Sequence, residues 1–160
     1  MTIQDIRPDQ AHLILPLLHQ VHDLHLEHQP ERYAALPPDA ELADYLQSWL
    51  MQPNLFAVGF FERDKLLGYA IFEISRRPAS PFHSVDTRAV LHQISVDRAA
   101  RRRGIGTALL ETVKSRLRQV GRSVLTASVA SFNAPSQALM AHSGLNHSLT
   151  IMEWRDPSPQ

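Results

Sequence analysis

Residues 91–110 read Leu-His-Gln-Ile-Ser-Val-Asp-Arg-Ala-Ala-Arg-Arg-Arg-Gly-Ile-Gly-Thr-Ala-Leu-Leu, and no other stretch constrains the fold as strongly. An apolar run enters a turn of arginines and glycines, after which apolar residues recur at helical spacing, so a strand passes directly into a helix. A helix start exposes unpaired N–H groups and a partial positive charge. From Arg98 to Gly106 there is no Ser, Thr, Asp or Asn to cap it. Three consecutive arginines stand where the helix dipole disfavours each cation by roughly 0.3–1 kcal/mol. An anion at this turn would resolve both anomalies, because the amides gain an acceptor and the guanidinium groups a counter-charge. Gly104 and Gly106 would let the backbone approach it without Cβ interference. The turn lacks Gly-Lys-Ser/Thr, and Leu109 replaces the third glycine of a dinucleotide fingerprint, with no acid in residues 125–130. What remains is Arg101-x-x-Gly104-x-Gly106 after a strand.

With 160 residues the chain is long enough for one domain with a sizeable core. Residues 1–155 read as that domain and 156–160, Asp-Pro-Ser-Pro-Gln, as a loose tail. The absence of cysteine excludes disulfides, thiolate zinc sites and a cysteine nucleophile. Sixteen Lys+Arg balance sixteen Asp+Glu, so no whole-chain attraction to nucleic acid or an anionic membrane is expected. The start has no basic-then-apolar leader, and no apolar run approaches the roughly 20 residues of a membrane span. A cytoplasmic protein is expected.

Thr2 to Arg7 reads as a strand, and Pro8-Asp9 opens a helix with Ile14, Leu17, Leu18, Val21 and Leu24 inward, ending near Pro30. Asp39 reads as the N-cap of a second helix that ends before Pro53. Asn54 to Glu62 and Lys65 to Ser75 form a hairpin around Arg63-Asp64, with a loop from Arg76 to Ser84. Val85 to Asp97 is a long strand, Gly104 to Val120 a helix stopped by Gly121, and Ser123 to Ala130 a strand. A helix from about Ala134 to Ser143 and a last strand from Leu145 to Trp154 complete the order β-α-α-β-β-β-α-β-α-β. A meander joined to one strand-helix-strand crossover implies an α+β fold, with a mixed, mostly antiparallel sheet and helices on both faces.

The turn and its setting resemble the Gcn5-related N-acetyltransferase superfamily, whose pattern there is Gln/Arg-x-x-Gly-x-Gly/Ala. Ser131-Phe-Asn133-Ala-Pro-Ser-Gln-Ala-Leu-Met140-Ala-His-Ser-Gly144-Leu145 is similar to its second landmark, an Asn followed by a helix ending in Gly-Phe. The resemblance implies an N-acetyltransferase with acetyl-CoA as cosubstrate. Carried over by position, Ile94, Ser95 and Val96 would hold pantetheine and the thioester, and a backbone N–H at Ile94 would steady the oxyanion. Arg101, Arg102, Arg103, Gly104, Ile105, Gly106 and Thr107 would hold the pyrophosphate. Asn133, Ser136 and Met140 would face the coenzyme from the other side. Met140 stands where many members carry the Tyr that protonates the departing thiolate, so a water or Ser136 would donate instead. A catalytically weak acyl-CoA-binding or regulatory module is the alternative.

His92 is the leading candidate base, since strand alternation puts Val90, His92, Ile94 and Val96 on one face beside the thioester site. An imidazole, with a reference pKa of about 6.5, suits proton removal from an ammonium. Glu73, on the neighbouring strand, is the second candidate. His19, His22, His25 and His28 rotate about 60° per step around their helix and cannot face one ion, so a solvated or pocket-lining cluster is expected rather than a metal site.

The zero net charge is unevenly spread. Residues 1–51 carry Asp5, Asp9, Asp23, Glu27, Glu31, Asp39, Glu41 and Asp44 against Arg7 and Arg32, whereas residues 98–122 carry Arg98, Arg101, Arg102, Arg103, Lys114, Arg116, Arg118 and Arg122 against Glu111. The resemblance places the acceptor beside the first two helices, within about 22–45. A small cationic amine is therefore expected there, with Asp23, Glu27, Glu31 and Tyr33 as candidate contacts and a peptide amine as another acceptor. The resemblance also implies pairing through an edge or terminal strand as a route to a homodimer.

Overall fold

A computed structural model describes residues 1–121 and 123–156; Arg122 and most of the expected tail, 157–160, lie outside the described residues. Among the described residues five strands form one sheet in the order β1-β2-β3-β4-β5: β1 (Thr2–Asp5), β2 (Leu55–Glu62), β3 (Lys65–Arg77), β4 (Asp86–Val96) and β5 (Ser123–Ala127). The first four are antiparallel, and β5 pairs parallel to β4. A parallel neighbour requires a crossover, which α3 (Ile105–Gln119) supplies. The other helices are α1 (Leu15–His28), α2 (Asp39–Leu50) and α4 (Ala134–His142).

Strand alternation builds two cores. On β3, Tyr69 and Ile71 face one side and pack with Ile14, Leu17, Leu42 and Leu46 of the chain leading into α1 and of α1 and α2. Ala70 and Phe72 face the other side, against Leu109, Leu110 and Val113 of α3 and Met140 of α4. The four β3 residues are fully buried, because helices cover both faces of this central strand. The expected mixed fold is therefore the one observed.

Several boundaries differ. Residues 145–154, expected as a last strand, form no regular element among the described residues. Strand-like composition makes a strand only where an edge is available to pair with it, and here Leu149, Ile151, Met152 and Trp154 remain exposed. Glu153 and Arg155 instead pair with Arg32 at 2.6 Å and Glu31 at 3.2 Å, tying the segment to the chain after α1. β3 continues to Arg77 because Arg76 and Arg77 find partners in Thr87 and Asp86. β5 stops at Ala127 rather than Ala130. The N-cap of α2 is Pro38, with Asp39 as the first helical residue. The first expected helix divides into a 3-10 segment, Pro8–Ile14, and α1.

Candidate functional site

β4 and β5 pair from Thr87–Ser123 to Leu91–Ala127 and then part, because β5 ends while β4 runs on to Val96. The divergence coincides with a bulge in β4. Ile71 pairs with Gln93 and Phe72 with Leu91, which leaves His92 as the extra residue. A bulge bends its strand and increases local twist, opening the gap on the β5 side. From His92 onward that edge of β4 has no strand partner among the described residues.

A cleft of about 200 Å³ occupies the gap. Leu91, His92, Gln93 and Ile94 form one wall, residues 127–130 the second, Asn133, Ser136 and Met140 the third, and Leu18, Val21, His22, His25 and Tyr33 the fourth. The α1 wall is held in place by Ser95, whose buried hydroxyl donates to Leu17 O at 3.2 Å, and by Gln20, whose Oε1 accepts from the Arg98 N–H at 3.0 Å. Asp97 caps the turn after β4 by accepting from the Ala99 N–H at 3.1 Å. That bond first, and Lys65 at 3.1 Å second, hold the Asp97 carboxyl below its usual range.

The bulge also breaks the alternation expected along β4. Ile94 and Val96 pack with the core on the α3 side, whereas His92 turns toward Trp49 of α2, with ring centroids 5.6 Å apart. His92 Nε2 lies 3.4 Å from Glu73 Oε2, so the two candidate bases are one pair. Of the two, only His92 borders the cleft. Tyr69 donates to Gln93 Oε1 at 3.1 Å, fixing the next residue, and burial pushes its phenol far above the usual range.

The start of α3 is uncapped, as its sequence suggested. Gly104 occupies the N-cap position at φ 78° with no side chain to accept from the first amides, and Arg102 also has positive φ, at 64°. The open space beside Gly104 contrasts with Gly106, where an added Cβ would lie 2.9 Å from Leu139 of α4. Helix packing is therefore a second reason for Gly106. Arg101, Arg102 and Arg103 are exposed; Arg103 is drawn to Glu62 at 2.6 Å, and Arg101 Nε donates to Val96 O at 3.4 Å. Ile105 is buried in the core below the turn. Asn133 caps α4, accepting from the Ser136 N–H at 3.1 Å, and at the same time borders the cleft.

The four histidines of α1 go to separate hydrogen-bond partners. His19 meets Asp39 at 2.8 Å, His22 and His25 bond to backbone carbonyls, and His28 stacks on Phe132 at 4.3 Å. Among the described residues no three His, Asp or Glu come close enough to hold a metal ion. Of the expected acceptor contacts, Tyr33 borders the cleft; Asp23 and Glu27 are exposed outside it, and Glu31 pairs with Arg155. The sequence left open which of the four would line a pocket; His22 and His25 do. The signal was present: they continue the α1 stripe that begins with Leu18 and Val21. No described helix is long and apolar enough to cross a membrane.

The fold recurs in solved structures. A tetramutant of the BH1408 protein of Bacillus halodurans superimposes with a TM-score of 0.87 at 18% identity, over 97% of this chain and 99% of that one. An aminoglycoside antibiotic 6'-N-acetyltransferase of Acinetobacter haemolyticus gives 0.73 at 14% identity, over 99% and 100%. A ribosomal-protein-alanine N-acetyltransferase of Brucella melitensis gives 0.73 at 19%, over 98% and 100%. No curated protein matches the sequence. The profile of the Acetyltransferase (GNAT) family matches residues 18–145, which span every wall of the cleft and the uncapped arginine turn. The chain belongs to the acetyltransferase (GNAT) family, whose fold it shares as an acetyl-CoA-dependent N-acetyltransferase.

Proposed function

We propose that the protein transfers the acetyl group of acetyl-CoA to a small cationic primary amine in the cytoplasm, with both substrates bound together. The observation that carries this reading is the gap left where β5 ends beside β4, with His92 on its wall and the uncapped start of α3 following β4 along the chain. The residues fit the coenzyme. Amides of Ile105, Gly106 and Thr107 at the helix start, with Arg101 and Arg102, suit a pyrophosphate. The edge of β4 left without a strand partner, at Ile94 and Val96, suits the amides of pantetheine, as an added strand would. The Ser95 hydroxyl is engaged with Leu17 and its backbone faces Tyr69 of β3, so Ser95 supports this edge rather than contributing to it. Asn133, Ser136 and Met140 close the other side.

His92 takes the proton from the ammonium, and Glu73 accepts from the imidazole and orients it. The freed amine lone pair attacks the thioester carbonyl carbon, a backbone N–H at Ile94 steadies the oxyanion, and collapse breaks the C–S bond. The second proton of the attacking nitrogen passes, relayed by water or Ser136, to the departing thiolate, leaving a neutral amide and a free thiol. Much of the acceleration comes from holding amine and thioester in contact. Met140, buried where a phenol would serve as acid, favours a second reading in which the protein binds acyl-CoA and turns it over weakly. Thiol release from acetyl-CoA across a panel of amines separates the two. Release with at least one amine, lost in His92→Ala, is expected; tight acetyl-CoA binding without release from any amine would establish the binding module.

A further inference from the structure

His22 and His25 border the cleft from α1, and neither has a part in the chemistry above. Each ring is tied to a backbone carbonyl, His22 Nε2 to Ala34 O at 2.7 Å and His25 Nδ1 to Val21 O at 2.8 Å. A carbonyl only accepts, so the bonded nitrogen carries the hydrogen, and in the neutral ring the opposite nitrogen keeps its lone pair. Those lone pairs, on His22 Nδ1 and His25 Nε2, have no protein partner among the described residues. Tyr33 packs against both rings, at 5.8 and 5.2 Å, and Phe132 packs against His25 at 5.4 Å, which fixes their positions. The carboxylates of this helix, Asp23 and Glu27, are exposed outside the cleft.

We infer that His22 and His25 form an acceptor subsite that reads hydrogen-bond donors, so that the preferred substrate is a primary amine with a second donor such as a hydroxyl, not a polyamine. The inference rests on the acetyl-transfer reading. A second ammonium would need a carboxylate to offset its desolvation. This wall offers ring-nitrogen lone pairs, which suit a hydroxyl at less cost. Specificity follows because each lone pair, once covered by substrate, is left unsatisfied by an analogue without the donor.

The test compares 3-aminopropanol, propylamine and 1,3-diaminopropane by thiol release from acetyl-CoA. The wild-type protein is expected to use the amino alcohol about tenfold better, by kcat/KM, than either other amine. His22→Leu and His25→Leu should each reduce that advantage toward parity, while the KM for acetyl-CoA stays within about twofold as evidence that the fold is kept. His25→Gln, which restores an acceptor near the Nε2 position, should keep it. Equal use of amino alcohol and propylamine, a preference for the diamine, or leucine variants that raise only the acetyl-CoA KM would each overturn the inference alone. Release with none of the amines would overturn the transfer reading and the inference with it.

Discussion

A 3.4 Å contact lets one carboxylate act through one imidazole rather than beside it. Glu73 sits behind His92 as seen from the cleft, so its proposed effect is to position the ring. Losses should then not multiply. His92→Ala is expected to lower kcat by about 10²–10⁴-fold and Glu73→Gln by about tenfold, the effect of removing a supporting carboxylate, with the double variant no slower than His92→Ala alone. Multiplied losses in thiol-release kinetics would make Glu73 an independent base. Asp97 gives a prediction about stability. Its carboxyl is held below the usual range by the Ala99 N–H and Lys65, so its stabilisation is present above the unfolded value, about pH 4, and is lost as pH falls through the lower folded value. Denaturant midpoints measured below about pH 4 should fall less steeply in Asp97→Asn than in wild type. Both base candidates were legible in the sequence, but alternation put His92 on the face of Ile94. The bulge, which depends on the register between β3 and β4, turned it toward Trp49 and Glu73.

The start of α3 is set by what surrounds it as well as by its own residues. A Cβ on Gly68 of β3 would come within 2.9 Å of Ile105, 3.1 Å of Ser95 O and 3.2 Å of Leu109, so this glycine lets the first turn of α3 lie close against the sheet. Gly68→Ala is expected to cost about 1–3 kcal/mol in urea unfolding and to raise the KM for acetyl-CoA as the turn shifts; an unchanged KM would separate sheet packing from the turn's geometry. Gly106→Ala should cost less, since its close neighbour is a terminal methyl of Leu139, which can move. Asn133→Ala removes the α4 cap and is expected to lower stability by about 1 kcal/mol in the same measurement. Helix existence was readable from apolar spacing and from Pro135 and Gly121. Where strands ended was not, because β3 extends to Arg77 and β5 stops at Ala127 according to whether a neighbour is there to pair.

Across the whole molecule, a net charge of zero conceals an arginine turn in which Arg101 and Arg102 have no carboxylate partner among the described residues. Acetyl-CoA affinity should therefore weaken as ionic strength rises, and less so in the double variant Arg101→Ala, Arg102→Ala, by titration at low and high salt; equal salt dependence in both proteins would remove these charges from coenzyme binding. The acidic half of the chain behaves differently. Its carboxylates are partly absorbed by pairs such as Glu31 with Arg155, Asp39 with His19, and Asp5 with Arg116, while the α1 wall of the cleft presents His22, His25 and Tyr33. By itself the sequence determined the strand, uncapped turn and helix at 91–110 and the element order as far as α4, because these depend on local spacing and local hydrogen bonding. Tertiary structure alone decided that β4 and β5 part, that Glu73 meets His92, and that 145–154 forms no strand among the described residues. Each of those outcomes depends on a partner distant in sequence, and residue spacing along one chain does not encode which edge or side chain that partner will be.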